Sequence, residues 1–262
     1  MISWLPAAVA GAAGLVVGDY ITVLIDRAPA ARTVSGSFHE LTRRPAGECS
    51  RCAARLHPAD LIPLAAWART GGTCRYCGQD FGAWHPAAEI LTAVTFALLG
   101  LGLGASPALP AFCFLAAVSV ALAFIDVTHQ RLPDLLTLPS YPVAIVALGA
   151  ATPFVRHGPG HLVHAIIGLA GALAFYLILA LIYPAGIGWG DVKLSGLLGL
   201  YLGWTGLGAL VTGLAAGFVL AAAAGLALIA AGRATRRSQI AFGPFMVVGA
   251  LAVIIAAGLS GR

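Results

Sequence analysis

The chain has 262 residues, 60% of them hydrophobic and only 10% charged, with a net charge of +5 and a mean hydropathy of +0.92. Soluble domains carry about 25% charged residues, so a soluble protein with one large core is excluded and an all-α polytopic membrane protein is expected. The basic excess then reports topology; with no aromatic-and-basic patch, nucleic acid is excluded as a partner and membrane lipid is expected as the solvent.

The first apolar run, residues 4–25, has no basic residue ahead of it and exceeds the length of a signal-peptide core, so it reads as a membrane span. About 20 apolar residues cross a bilayer, and by that ruler further spans fall near 87–105, 108–126, 136–155, 162–183, 191–204, 206–231 and 240–259. About eight transmembrane helices result, the sixth of them short. The chain divides into a first helix (1–25), a water-exposed segment (26–86) and a membrane core (87–262).

With the N-terminus outside, thirteen Lys and Arg residues lie inside: eight within 26–86, then Arg131, Lys193, Arg233, Arg236 and Arg237. Arg156 and Arg262 alone lie outside. This is the bias of the positive-inside rule, and the short loops alone show the same sign.

Segment 26–86 carries two Cys-x-x-Cys knuckles, Cys49–Cys52 and Cys74–Cys77, separated by 21 residues. Four thiolates at this spacing suit one tetrahedral zinc, and a cytosolic location disfavours disulfides. A domain this small gains folding free energy from a closed metal site, and with all four positions filled the zinc is structural. Gly78 suits the tight backbone after the second knuckle. A thiol-redox pair or an iron–sulfur site competes, but no thioredoxin-like strand–helix pattern flanks the cysteines. Cys113 lies within a span and reads as a small buried hydrophobe.

Asp126 closes the third span in Phe124-Ile-Asp126-Val-Thr-His129, ahead of Leu132-Pro133-Asp134. Asp191 opens the sixth span in Gly186-Ile-Gly188-Trp-Gly190-Asp191-Val-Lys193. An ionisable group at the membrane is costly and marks a functional site by default; the competing role for Asp191 is a helix N-cap. Gly188 and Gly190 remove bulk around it and let another backbone approach. The topology puts both aspartates at cytoplasmic span ends, where they could share a pocket. Two carboxylates within about 3 Å cannot both ionise cheaply, so such a pair holds one proton and performs acid–base hydrolysis of a peptide bond without metal or covalent intermediate. Asp134, which complements a helix dipole, and Glu89, in the first turn of the second span, read as structural. Asp19, inside the first span, needs a partner. His129 reads as an exposed loop residue, and Lys193 either snorkels to headgroups or binds a substrate carboxylate. A proton-coupled transporter is the alternative function; it predicts ionisable groups spread through the bilayer depth.

These pieces, in order, resemble the type IV prepilin peptidases, bacterial Gly-x-Gly-Asp membrane aspartic proteases. The match runs from Gly18–Arg27 through the knuckles with Trp67 and Gly72 between them, then Glu89–Ala93, Asp126–Asp134, Gly188–Leu194 and Ala241–Phe245. The resemblance implies Asp126 and Asp191 as the catalytic pair; where many members have a second aspartate in the first block, Thr128 stands here. It implies motif support from Gly188, Gly190 and Lys193. It further implies prepilin and pseudopilin substrates, cut at the cytoplasmic face of the bacterial inner membrane after a short leader ending in glycine. Members with the cysteine segment often also methylate the new N-terminus with S-adenosylmethionine. Here Gly72-Thr73 replaces a glycine–basic pair before the second knuckle, and Asp19 and Thr22 replace Ser and Asn in the opening motif, so methylation stays open.

Overall fold

A computed structural model describes residues 4–27, 49, 52, 54–55, 57, 64–184, 186–233, 235 and 241–260. Much of segment 26–86, and the topology residues Arg236, Arg237 and Arg262, therefore lie outside the described residues. The helices are α1 (Leu5–Arg27), α2 (Ala65–Thr70), α3 (Trp84–Leu103), α4 (Leu109–His129), α5 (Asp134–Ala151), α6 (Gly158–Ile182), α7 (Trp189–Thr205), α8 (Leu207–Ala230) and α9 (Gly243–Ser260), with a 3-10 turn at Thr152–Phe154.

Seven of these are long and apolar enough to cross a membrane: α1, α3, α4, α5 with its 3-10 extension, α6, α8 and α9. The remaining expected span is α7, which has only 17 residues. At about 1.5 Å per residue it is shorter than the hydrocarbon core of a bilayer, as expected for a span that starts below the membrane surface near the half-buried Asp191. Helices α3 and α6 start three and four residues before the expected spans, at Trp84 and Gly158. Pro86 and Pro159 occupy their first turns, where a missing N–H costs nothing.

Helix α7 is the axis of the bundle. Every residue from Leu194 to Trp204 is buried, against α6 on one side and α5, α8 and α9 around the rest. A helix hydrophobic all round belongs in an interior. Its opposite is α8, where only Gly213 and Gly217 are buried and the remaining apolar surface faces outward, as a lipid-facing helix requires.

Small residues bring the helices together, since lipid leaves no hydrophobic drive to pack them. A Cβ on Gly199 would stand 2.4 Å from the Gly168 carbonyl oxygen, which locks α6 onto α7. In the same way, Gly14 and Gly18 of α1 lie against the backbone of α3 at Ala93 and Glu89. Ile21, Ile25, Ala88, Ala121 and Ile125 form a second small core where α1, α3 and α4 meet.

Candidate active site and metal centre

Asp126 lies three residues before the end of α4, which stops at Gln130 in a left-handed cap (φ 51°). Its side chain is only 6% exposed. Its Oδ2 accepts the backbone N–H of Gly243 at 3.2 Å, a contact between residues 117 apart in the chain. Asp191 occupies the third residue of α7, so it is not the N-cap; that position is Gly188, with extended backbone. From the first turn the carboxylate reaches back, and its Oδ2 accepts the N–H of Gly188 at 3.3 Å, the reverse half of a capping box.

Gly243 ties the two acids together. A Cβ built on it would stand 2.7 Å from Asp126 Oδ2 and 3.7 Å from Asp191 Oδ1. One oxygen of each carboxylate therefore lies within 3.7 Å of the same point beside Gly243, at one end of the bundle. Gly243 is absent from the sequence-based site residues. Its signal was the glycine of Phe242-Gly243-Pro244-Phe245, placed where the last span begins.

The neighbouring motif residues hold this corner in place. Gly190 packs on Leu132, whose Cβ would lie 2.8 Å from an added methyl carbon, so the Leu-Pro-Asp turn nests on the glycine loop. Lys193 Nζ donates to Asp134 Oδ1 at 2.6 Å, and its backbone carbonyl accepts the hydroxyl of Tyr141. Both side chains of this ion pair are about one-third exposed or more, so it orients the corner and contributes at most ~1 kcal/mol to stability. Beside the two roles drawn for Lys193 from sequence, the structure pairs it with Asp134. His129 and Thr128 are exposed at the helix end, and the Thr128 hydroxyl donates to the Phe124 carbonyl of its own helix.

Glu89 sits in the second turn of α3 rather than the first, because the helix starts at Trp84. It is 5% exposed, and its Oε2 accepts the N–H of Leu64 at 2.7 Å, tethering the cysteine segment to the membrane bundle. Asp19, without a named partner from sequence, shares its surroundings with Glu89 and His85, and these three groups feel one another's charge.

The four cysteines come together. Their sulfurs lie within 4.8 Å of one another, with Cys49 and Cys74 buried and Cys52 and Cys77 exposed. A tetrahedral metal with bonds of about 2.3 Å sets sulfurs about 3.8 Å apart, so this cluster fits a metal ion. The second knuckle turns at Gly78 (φ 68°), whose N–H donates to the Cys74 carbonyl. Trp67 covers Gly72 (φ 77°) and donates its indole N–H to the Gly82 carbonyl, closing the loop around the knuckle. The Cys74 thiol is held at about 7: burial opposes its ionisation, but the N–H groups of Tyr76 and Cys77 and the thiols of Cys49 and Cys77 outweigh it. A thiolate available near neutrality is the form that binds metal. Cys113 is half-buried on α4, against the main core.

The family model described as Bacterial Peptidase A24 N-terminal domain matches residues 12–102, and that described as Type IV leader peptidase family matches residues 113–259. The prepilin leader peptidase/N-methyltransferase of Bacillus subtilis (strain 168) is 28% identical across 91% of this chain and 89% of its own length. Its namesake in Dickeya chrysanthemi is 33% identical across 92% and 90%, and that of Burkholderia pseudomallei (strain K96243) is 32% identical across 92% and 82%. No solved structure matches the chain. Seven membrane-length helices, two acids meeting at one bundle end, and matches over nearly the whole length lead to one conclusion: the chain belongs to the type IV leader peptidase family, multi-pass peptidases of the inner membrane.

Proposed function

We propose that this protein is an aspartic endopeptidase that removes the leader of type IV prepilins and pseudopilins, with Asp126 and Asp191 as its catalytic pair. The observation that carries the reading is the space at Gly243, bordered by one oxygen of each aspartate. The two acids share a proton. The ionised carboxylate takes a proton from water as the water oxygen bonds to the scissile carbonyl carbon, while the protonated one supports the carbonyl oxygen and then protonates the departing amine. The C–N bond breaks, leaving one carboxylic acid and one amine. Gly243 N–H holds Asp126 in place, and Gly188 N–H holds Asp191, so neither carboxylate must find its orientation during the reaction.

The N-terminus lies outside and the aspartates lie at the cytoplasmic face, supported by the excess of Lys and Arg in segments 28–83, 130–133 and 231–242. An apolar prepilin helix enters from the lipid, which leaves its scissile bond at that face. The transporter alternative draws no support from two principal acids gathered at one end. The test is mass spectrometry of a prepilin peptide incubated with purified protein. A single cut after the leader's final glycine is expected; an intact peptide would overturn the reading.

We assign the cysteine cluster to structural zinc, held by Cys49, Cys52, Cys74 and Cys77. Cys49→Ser or Cys74→Ser is expected to reduce bound zinc from one ion per chain to a small fraction and to speed proteolysis of segment 26–86. Cleavage per folded molecule should change far less than in the aspartate variants. Zinc should also leave on acidification, as protons compete with the metal for the thiolates. Metal analysis after dialysis at several pH values checks both, and stoichiometric iron in place of zinc would refute the assignment.

The relatives' names include N-methyltransferase. Among the described residues no strand–helix unit with a glycine-rich turn offers S-adenosylmethionine a cradle, and hydrolysis at the aspartates does not depend on it. The same mass spectrum reports any methyl group added to the new N-terminus.

A further inference from the structure

Tyr176 of α6 is fully buried, and its hydroxyl has no hydrogen-bond partner among the described residues. Such an orphan is destabilising relative to a satisfied group, and Phe would fill the same space without that cost. The surroundings are aromatic. The ring stacks on Phe218 at 5.5 Å and lies 6.2 Å from Phe242, the residue before Gly243.

The register of α6 on α7 says where the hydroxyl sits. The two helices run antiparallel, with Gly168 against Gly199, and Ala172 one turn on, its carbonyl accepting the hydroxyl of Ser195 at 3.2 Å. One further turn on each helix sets Tyr176 opposite Asp191. The phenol accordingly lies within electrostatic reach of the Asp191 carboxylate. One neighbour of this ring thus adjoins the glycine that contacts Asp126, and the facing helix carries the other acid.

We propose that Tyr176 is a positioning residue of the aspartate site, whose O–H donates to the water shared with Asp191 and turns that water toward the scissile carbonyl. This rests on the aspartic reading above. A hydroxyl held beside the Phe218 and Phe242 rings, with no partner of its own among the described residues, is preorganised, and a preorganised donor in a water-poor site is worth more than the same donor in solvent. Its role is separate from packing, because the ring alone accounts for the contacts with Phe218 and Phe242.

The experiment compares wild type, Tyr176→Phe, Asp126→Asn and Asp191→Asn, each as the full chain, on one prepilin peptide, with kcat, KM and thermal midpoint measured for all. For Tyr176→Phe we expect kcat to fall about 10- to 100-fold, the loss of one hydrogen bond to a charged or strongly polarised partner, with KM nearly unchanged. The thermal midpoint should hold, since the ring keeps its contacts with Phe218 and Phe242. Wild-type kcat in Tyr176→Phe, with both aspartate variants inactive, overturns the tyrosine assignment alone. A fall in kcat accompanied by a matching loss of thermal stability also overturns it, because the side chain would then be acting through packing. Cleavage within tenfold of wild type by either aspartate variant overturns the aspartic reading itself, and the tyrosine assignment with it.

Discussion

Asp191→Asn is expected to lower leader cleavage by roughly 10^4-fold while the protein stays folded. The amide has the shape of the carboxyl and retains an oxygen for the Gly188 N–H, so the first turn of α7 is kept. What it loses is the capacity to take or hold the shared proton. Asp126→Asn follows the same logic: the amide oxygen still accepts the Gly243 N–H. Groups that act as a unit are not additive, so the double variant should be scarcely worse than either single one. Product formation by mass spectrometry, alongside thermal melting in detergent, checks all three. Cleavage within tenfold of wild type by a folded single variant would remove that aspartate from the mechanism.

Gly243→Ala should be nearly as damaging, although it adds one methyl group and removes no functional atom. That methyl would stand 2.7 Å from Asp126 Oδ2, so the carboxylate or the start of α9 must move. It would also occupy the space between the acids where water and the scissile bond meet. Displacements of about 1 Å at a reacting centre cost on the order of 10^2-fold in rate, and exclusion of the water adds to this. We expect a loss of roughly 10^2- to 10^3-fold in kcat. Gly149→Ala is the matched control: nothing lies within 4 Å of the added atom, and replacing a helix-interior glycine stabilises by up to about 1 kcal/mol. Steady-state rates and melting midpoints for the pair separate an effect on the site from a general effect of added bulk. Equal activity in the two variants would show that the space beside Gly243 is not used.

Much of this was legible without coordinates, for reasons that are local. Membrane spans are runs of apolar residues, and all but one were long enough to be seen by composition. Two Cys-x-x-Cys knuckles announce a metal because neighbouring thiols on a tight turn share one coordination sphere. Carboxylates at the ends of apolar runs stand out because burying a charge is costly. Helix geometry decided the finer placements. Asp191 was a candidate N-cap and proved to be the third residue of its helix, since the extended Gly188 takes the cap. Glu89 moved from first turn to second because Pro86 is accommodated inside α3.

From its sequence alone this chain was a helical membrane protein with a four-cysteine segment and two outstanding aspartates, because composition, spacing and turn chemistry act over a few residues. Tertiary structure alone decided which helix ends meet: Gly243 between Asp126 and Asp191, Lys193 on Asp134, Glu89 beneath Leu64, and Tyr176 one turn beyond the Ala172–Ser195 contact. Those meetings depend on where glycines let backbones approach across more than a hundred residues of chain, and no local pattern records which glycine will face which helix.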